Sequence, residues 1–322
     1  MNPTTIFDVI ETDMGRLDQE MARALHSDHD YLQTLHGNIL SNPGKRLRPA
    51  LLFLCSKFLG YSGDLAATYA ATFELIHTAT LIHDDVIDGA VVRRGKATLN
   101  EEGRNTMTVL YGDLLYTKAN SMAIQAGNLQ ILRIISDVTE RMVEGELLQE
   151  RINFSLDQNQ ITYFDILKRK TASLFAGTTE TAAILADCDS RETKAMREFG
   201  FNLGISFQLI DDYLDYMESE EQLGKPSMSD LREGKLTLPM LRLLEAEPDR
   251  ARTLTARFWQ HSQDSTLQEI MDLMHQHEIL EKVRQEAAAY ADAAIQYLKP
   301  FAHNAYKEIL NQIPVLMANR RK

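Results

Sequence analysis

The sequence predicts an all-α fold, and three observations carry that prediction. The eight prolines stand at positions 3, 43, 49, 226, 239, 248, 300 and 314, so the interval from Ala50 to Lys225 lacks the residue that most effectively breaks helices. Within it, apolar residues recur at helical spacing, as in Leu51, Leu54, Cys55 and Phe58 and again in Leu129, Leu132, Ile135, Val138 and Met142. No stretch sustains an alternation of β-branched and polar residues, so no strands are expected.

Glycines mark the expected helix ends at Gly60 and Gly63, Gly89 and Gly95, Gly103, Gly127, Gly224 and Gly234. Loops follow near 41–46, 60–64, 89–104, 153–160, 187–190 and 219–235, which leaves about ten or more helices. There is no solenoid-length repeat, no low-complexity segment and no linker rich in Pro, Gly or Ser. A single domain over residues 1–322 is expected, with the polar stretch from Glu245 to His277 as a peripheral helical subregion.

With 322 residues, 44% of them hydrophobic, the chain can bury a core without a disulfide or a structural metal. Its two cysteines, Cys55 and Cys188, have no His or Cys at ligand spacing, which excludes a thiolate metal site. A net charge of −12 argues against nucleic acid as a partner. The N-terminal residues do not form a basic segment followed by an apolar run, and the longest apolar run, Ala50 to Cys55, falls far short of the roughly 20 residues of a membrane span. A soluble, cytoplasmic protein is the expectation.

Against this background two matching acidic groups stand out: Asp84, Asp85 and Asp88, and Asp211, Asp212 and Asp215, each reading DDxxD. On a helix, residues four apart share a face about one 5.4 Å turn from each other, so Asp84 with Asp88 and Asp211 with Asp215 project together. Both groups sit in apolar sequence, Leu81, Ile82, Val86 and Ile87 around the first and Phe207, Leu209, Ile210 and Leu214 around the second. A solvated acidic face fits such surroundings poorly, since carboxylates on core-facing helices are paired or bind cations. Mg2+ is the natural candidate, because it takes few protein carboxylates and completes its shell with water and phosphate oxygens. A di-iron bundle would need two Glu-x-x-His pairs on facing helices, and the chain holds one, Glu74 to His77.

Small basic groups interrupt the acidic chain: GKRLRP at 44–49, RRGK at 93–96, KRKT at 168–171, and Lys225 with Lys235. Arg46, Lys96, Lys168 and Arg169 read equally well as solubilising surface charge. Lys45, Arg48, Arg93 and Arg94 flank the loops at the mouths of the acid-bearing helices, and arginine forks suit phosphate oxygens. Acids and bases together point to anionic ligands, one bridged to the carboxylates by divalent ions and a second held by Lys45, Arg48, His77 and Arg94 directly. For His77 alone, a hydrogen-bonded core histidine is the competing reading.

Taken in order, GKRLRP at 44–49, HDDVID at 83–88, RRG at 93–95, KTA at 170–172, FQLIDDYLD at 207–215 and GKLT at 234–237 resemble the motifs of the trans-isoprenyl diphosphate synthases. The resemblance covers nearly the whole chain and extends to the long-chain bacterial members whose octaprenyl products become quinone side chains. It implies a helical bundle around a deep central cavity, a homodimer, and Mg2+ as cofactor, three ions in all. It also implies condensation of isopentenyl diphosphate onto an allylic diphosphate such as farnesyl diphosphate, with the product passing to the membrane.

Residue by residue, it implies that Asp84, Asp88 and Asp211 ligate the metal, with Asp85, Asp212 and Asp215 in or near its shell. The allylic diphosphate falls to Arg93, Lys170, Thr171, Gln208, Lys225 and Lys235, and isopentenyl diphosphate to Lys45, Arg48, His77 and Arg94. Two positions depart from the family pattern: Ala97 precedes Thr98 where Pro is frequent, and Ser229 stands where long-chain members often have Asp. A class I terpene cyclase would lack the second DDxxD, and a regulatory subunit would show degraded motifs. One turn below Asp84 lie Ala79 and Thr80, both small where short-chain members carry aromatics, so a long product is expected. Phe73, Tyr69, Met122, Ala123 and Ile135 are the candidates for the cavity floor.

Overall fold

The computed structural model describes residues 8–89, 105–217 and 227–318, and the backbone of 92–93 and 96–97. The first helices are α1 (Glu11–Ala24), α2 (Asp30–Ser41), α3 (Leu47–Phe58) and α4 (Leu65–Ile87). After a short hairpin come α5 (Asn105–Ala126), α6 (Leu129–Ile152), α7 (Gln160–Leu167), a π-helical turn at Lys168–Ala172, α8 (Ser173–Leu185) and α9 (Ser190–Met217). The remainder is α10 (Ser229–Arg232), α11 (Leu238–Ala246), α12 (Pro248–His261), α13 (Asp264–Gln276), α14 (Ile279–Leu298) and α15 (Ala305–Ala318). The all-α expectation holds. The expectation of no strands needs one correction: β1 (Val92–Arg93) and β2 (Lys96–Ala97) pair antiparallel. Strands of two residues are too short to show alternation in sequence.

The bundle is built on α9, which packs along α14 on one side and α8 on the other, while α4 packs along α5 and α3 bridges α4 and α8. The α8–α9 crossing is close because two glycines face it. A Cβ at Gly200 would lie 2.5 Å from Phe175 O, and one at Gly204 would lie 2.7 Å from Ala172 Cα. Gly177 plays the same part on α8, where α4 and α6 converge: a Cβ there would meet Val138 at 2.8 Å and Phe73 at 3.6 Å.

The main apolar cluster draws on α1 to α6, α8, α9, α14 and α15, and Tyr69, Phe73, Phe175 and Phe199 are its large, fully buried side chains. A second cluster gathers Leu254, Phe258, Ile270 and Met274 with Tyr216 of α9. The Glu245 to His277 stretch therefore has apolar packing of its own beside α9. No helix among the described residues is long and apolar enough to cross a membrane.

Gly200→Ala tests the α8–α9 crossing. The new methyl meets the backbone carbonyl of Phe175, which cannot swing aside as a side-chain tip could. The denaturation midpoint should fall by the equivalent of about 1–3 kcal/mol, the usual penalty of overpacking. A midpoint within about 0.5 kcal/mol of wild type would show that the two helices can part freely.

Candidate active site

The first acidic group forms the end of α4. Asp85 is buried, Asp84 is half-buried, and Asp88 is the C-cap residue, its N–H bonded to Asp84 O at 2.8 Å. Gly89 follows at φ 62, a left-handed conformation that ends the helix at little steric cost. The preceding His83 lies against Gly112 of α5, its Nε2 3.1 Å from Val109 O and 3.4 Å from Asp113 Oδ1.

The second group lies in the last two turns of α9. Asp212, 2% exposed, accepts hydrogen bonds from Gln208 Nε2 at 2.9 Å and from the Tyr163 hydroxyl. Burial pushes its carboxyl up to about 7, against the pull of those two hydrogen bonds and with Asp211 and Asp215 pushing the same way. Gln208 Oε1 in turn accepts from Thr171 Oγ1 at 2.8 Å, so Tyr163, Asp212, Gln208 and Thr171 form one network. The π-helical turn places Thr171 in it. That turn also brings Lys170 N so near α6 that a Cβ at Gly145 would lie 3.1 Å away. Single π-turns inside helices often mark functional positions.

Asp215 is committed differently from its motif partners. Its Oδ1 accepts from Ser229 Oγ at 2.7 Å and its Oδ2 from the Asp230 N–H at 3.1 Å, so the carboxylate caps α10. The sequence reading puts Asp215 beside the metal and treats Ser229 as a missing acid. In the fold, Ser229 is the donor that engages Asp215.

The two groups are tied together by Lys235. Its Nζ lies 3.1 Å from Asp88 Oδ1 and 2.7 Å from Glu233 Oε2, and its N–H donates to Asp230 O at 2.8 Å. Burial acts to lower the ammonium's pKa, but Asp88 and Glu233 more than offset it and hold it above the usual lysine range. Arg48, at the start of α3, stacks its guanidinium on Phe175 at 4.7 Å, with its Nε buried and without a hydrogen-bond partner. Burial brings Arg48 down to about 10, with Glu74 of α4 and Asp211 of α9 acting the other way.

Lys170 pairs with Glu146 of α6, and Arg169 with Glu144 and Asp165. Arg46, left-handed at φ 47, pairs with Asp18. Lys45 is exposed and His77 half-buried, with Thr80 Oγ1 donating to His77 O at 2.8 Å. Ala79, Ala123, Met122, Phe73, Tyr69 and Ile135 all lie in the main apolar cluster. Arg94 and Lys225 fall outside the described residues, as does the side chain of Arg93.

Tyr163, Glu146 and Phe175 were not singled out from the sequence, and no local signal marks them; each matters through a partner on another element. Among the described residues no three His, Cys, Asp or Glu side chains converge into a ready metal cage. The donors available at the helix ends are hard carboxylate oxygens, and Asp212, already carrying a raised pKa, stands beside Asp211. A divalent cation fits this donor set.

A family model described as Polyprenyl synthetase matches residues 29–274. The octaprenyl diphosphate synthase of Escherichia coli (strain K12) is 37% identical over 311 residues, 96% of each chain. Among solved structures, the polyprenyl synthase from Caulobacter crescentus CB15 complexed with calcium and isoprenyl diphosphate superposes with a TM-score of 0.93 at 33% identity, covering 98% of this chain and 97% of that one. A decaprenyl diphosphate synthase from Rhodobacter capsulatus gives a TM-score of 0.92 at 30% identity, covering 99% of both.

Proposed function

The chain belongs to the polyprenyl synthetase family, and on that premise we propose how this long-chain trans-polyprenyl diphosphate synthase divides its residues between two diphosphates and a divalent cation. The observation that carries the division is the Lys235 bridge, because it sets a half-buried ammonium between the end of the first aspartate helix and the turn capped by the second. Asp84, Asp88 and Asp211 hold Mg2+, with Asp85 and Asp212 behind them. Asp215 is assigned to the turn.

Lys170, Thr171, Gln208 and Lys235, with Arg93 and Lys225, take the allylic diphosphate. Lys45, Arg48, His77 and Arg94 take isopentenyl diphosphate. Calcium and an isoprenyl diphosphate in the Caulobacter relative support a site of this kind.

When bound, Mg2+ supplies Lewis-acid stabilisation of the departing diphosphate. The protein's own cations add to it: Lys170 and Lys235 face the charge that develops on the leaving oxygens. The allylic C–O bond breaks and its electron pair leaves with the diphosphate. The double bond of isopentenyl diphosphate, held by Arg48 and its neighbours, then forms the new C–C bond to the allylic carbon. The released diphosphate accepts the proton whose loss restores an allylic double bond, in a product five carbons longer. The growing tail runs down the small face of α4, past Ala79 and Thr80 toward Phe73 and Ala123.

We assign eight isoprene units, the length named for the Escherichia coli relative, and transfer of the product to the membrane as a quinone side chain. The chain works in the cytoplasm as a homodimer. Exposed apolar side chains on α5 and α6, Leu110 at 56%, Ile124 at 62% and Leu147 at 68%, support self-association through those helices.

Purified chain incubated with labelled isopentenyl diphosphate and farnesyl diphosphate should elongate the primer only with divalent cation present. Asp84→Ala or Asp211→Ala should lower turnover by several orders of magnitude, at tenfold per about 1.4 kcal/mol of lost leaving-group stabilisation. Near-normal rates in either variant, or full activity in EDTA, would overturn the metal assignment.

Ala79→Tyr should shorten the products to about three or four units, since one isoprene is about as long as one helical turn of roughly 5.4 Å. The first condensation should stay within about tenfold of wild type because the aspartates are untouched. Wild-type product length on chromatography of the dephosphorylated products would show that the tail follows another face.

A further inference from the structure

The side-chain amide of Gln158 grips the backbone on both sides of Lys235. Its Nε2 donates to Gly234 O at 3.3 Å and its Oε1 accepts from the Leu236 N–H at 3.3 Å. One amide thus engages the two peptide groups that flank the lysine, as a neighbouring strand would. Nε2 also donates to Ile152 O at 2.8 Å and Ser155 O at 3.0 Å, which fastens the grip to the end of α6. This set fixes the orientation of the amide: three carbonyl oxygens face the nitrogen and one N–H faces the oxygen, and rotation would set oxygen against oxygen.

A second fastening comes from the same linker. Phe154 is left-handed at φ 59, and its N–H donates to Gly234 O at 2.9 Å. Its ring occupies the space a side chain at Gly234 would need, with a Cβ there 2.6 Å from the ring. The ring meets Trp259 edge-on at 5.6 Å, and Trp259 Nε1 donates to Leu231 O at 2.9 Å.

The turn that presents Lys235 to Asp88 is therefore held from outside by the α6–α7 linker. We infer that Gln158 is a positioning residue for Lys235, fixing the backbone from which the ammonium reaches the allylic diphosphate. The inference rests on the role proposed above for Lys235. A lysine brings a flexible four-carbon stem to its ligand, so a fixed backbone leaves only side-chain freedom to be lost on binding. Gln158 itself touches neither aspartate group.

The test compares Gln158→Leu, Gln158→Glu and Lys235→Ala in the full chain, varying farnesyl diphosphate and isopentenyl diphosphate separately. Hydrogen exchange at the Leu236 amide is followed in parallel. Gln158→Leu should raise KM for farnesyl diphosphate by about three- to tenfold, the effect of losing the hydrogen bonds that place one cation. KM for isopentenyl diphosphate should stay unchanged, and the Leu236 amide should exchange faster. Gln158→Glu keeps the size of the side chain and an acceptor for Leu236 but loses the donor, so it should show the same KM split if the leucine variant fails to fold.

Lys235→Ala without any change in KM for farnesyl diphosphate would overturn the proposed role of Lys235, and this inference with it. A clear Lys235→Ala effect alongside Gln158 variants that leave KM at wild type would overturn the inference alone. Equal rises in both KM values would do the same, since they report general damage rather than placement of one cation.

Discussion

The constraint on which this end of the bundle depends is the burial of carboxylates on helices whose surroundings are apolar. Asp85 and Asp212 are 7% and 2% exposed, each beside another aspartate. Taking such charges out of water is unfavourable unless something positive or proton-donating stands near. The neighbourhood supplies it in three ways. Tyr163 and Gln208 donate to Asp212, Ser229 and the Asp230 N–H donate to Asp215, and Lys235 lies against Asp88. Tyr163 and Lys235 reach their aspartates from 49 and 147 residues away, Gln208 sits one turn from Asp212 on α9 itself, and Gly200 and Gly204 permit the close α8–α9 crossing beside them. Asp212 remains raised to about 7 even so, and a divalent cation is the partner that would relieve it.

How far the sequence reveals this depends on the range of each interaction. The helices are legible because proline placement and apolar period are local signals. The aspartate pairs are legible because helical geometry fixes residues four apart on one face. The π-turn at Lys168–Ala172 is not, since one extra residue in a turn leaves the apolar pattern almost unaltered. Tyr163 and Asp212 are 49 residues apart, and nothing near either marks the other. Ser229 illustrates a subtler failure: the sequence shows what the residue lacks, whereas only the fold shows its hydroxyl donating to Asp215. The strand pair of 92–93 with 96–97 escapes for want of length, and the Gln158 grip because a glutamine that bonds backbone groups has no pattern at all.

Small residues do two different jobs on neighbouring helices. Gly177, Gly200 and Gly204 let backbones approach, and a Cβ at any of them meets another helix. Ala79 and Ala123 are equally buried, 3% and 1% exposed, but lie on the α4 and α5 side, where the tail is proposed to run. Sequence treats the two groups alike. At the glycines the structure shows the limit directly, a backbone or a neighbouring side chain within contact distance of any Cβ, whereas the role of the alanines rests on the proposed path of the tail.

Lys170 and Lys235 already have carboxylate partners, Glu146 for the first and Asp88 with Glu233 for the second. On the assignment proposed above, a diphosphate arriving at either lysine competes with an acid that belongs to the protein. A tethered acid acts at a high effective concentration and is never diluted away. It moderates how tightly any diphosphate is held, and it is ready to reclaim its lysine as soon as one departs. In the proposed reaction, which discards a diphosphate at every elongation, such resident competitors would act as a clearing device, favouring an emptied site over one choked by its own by-product.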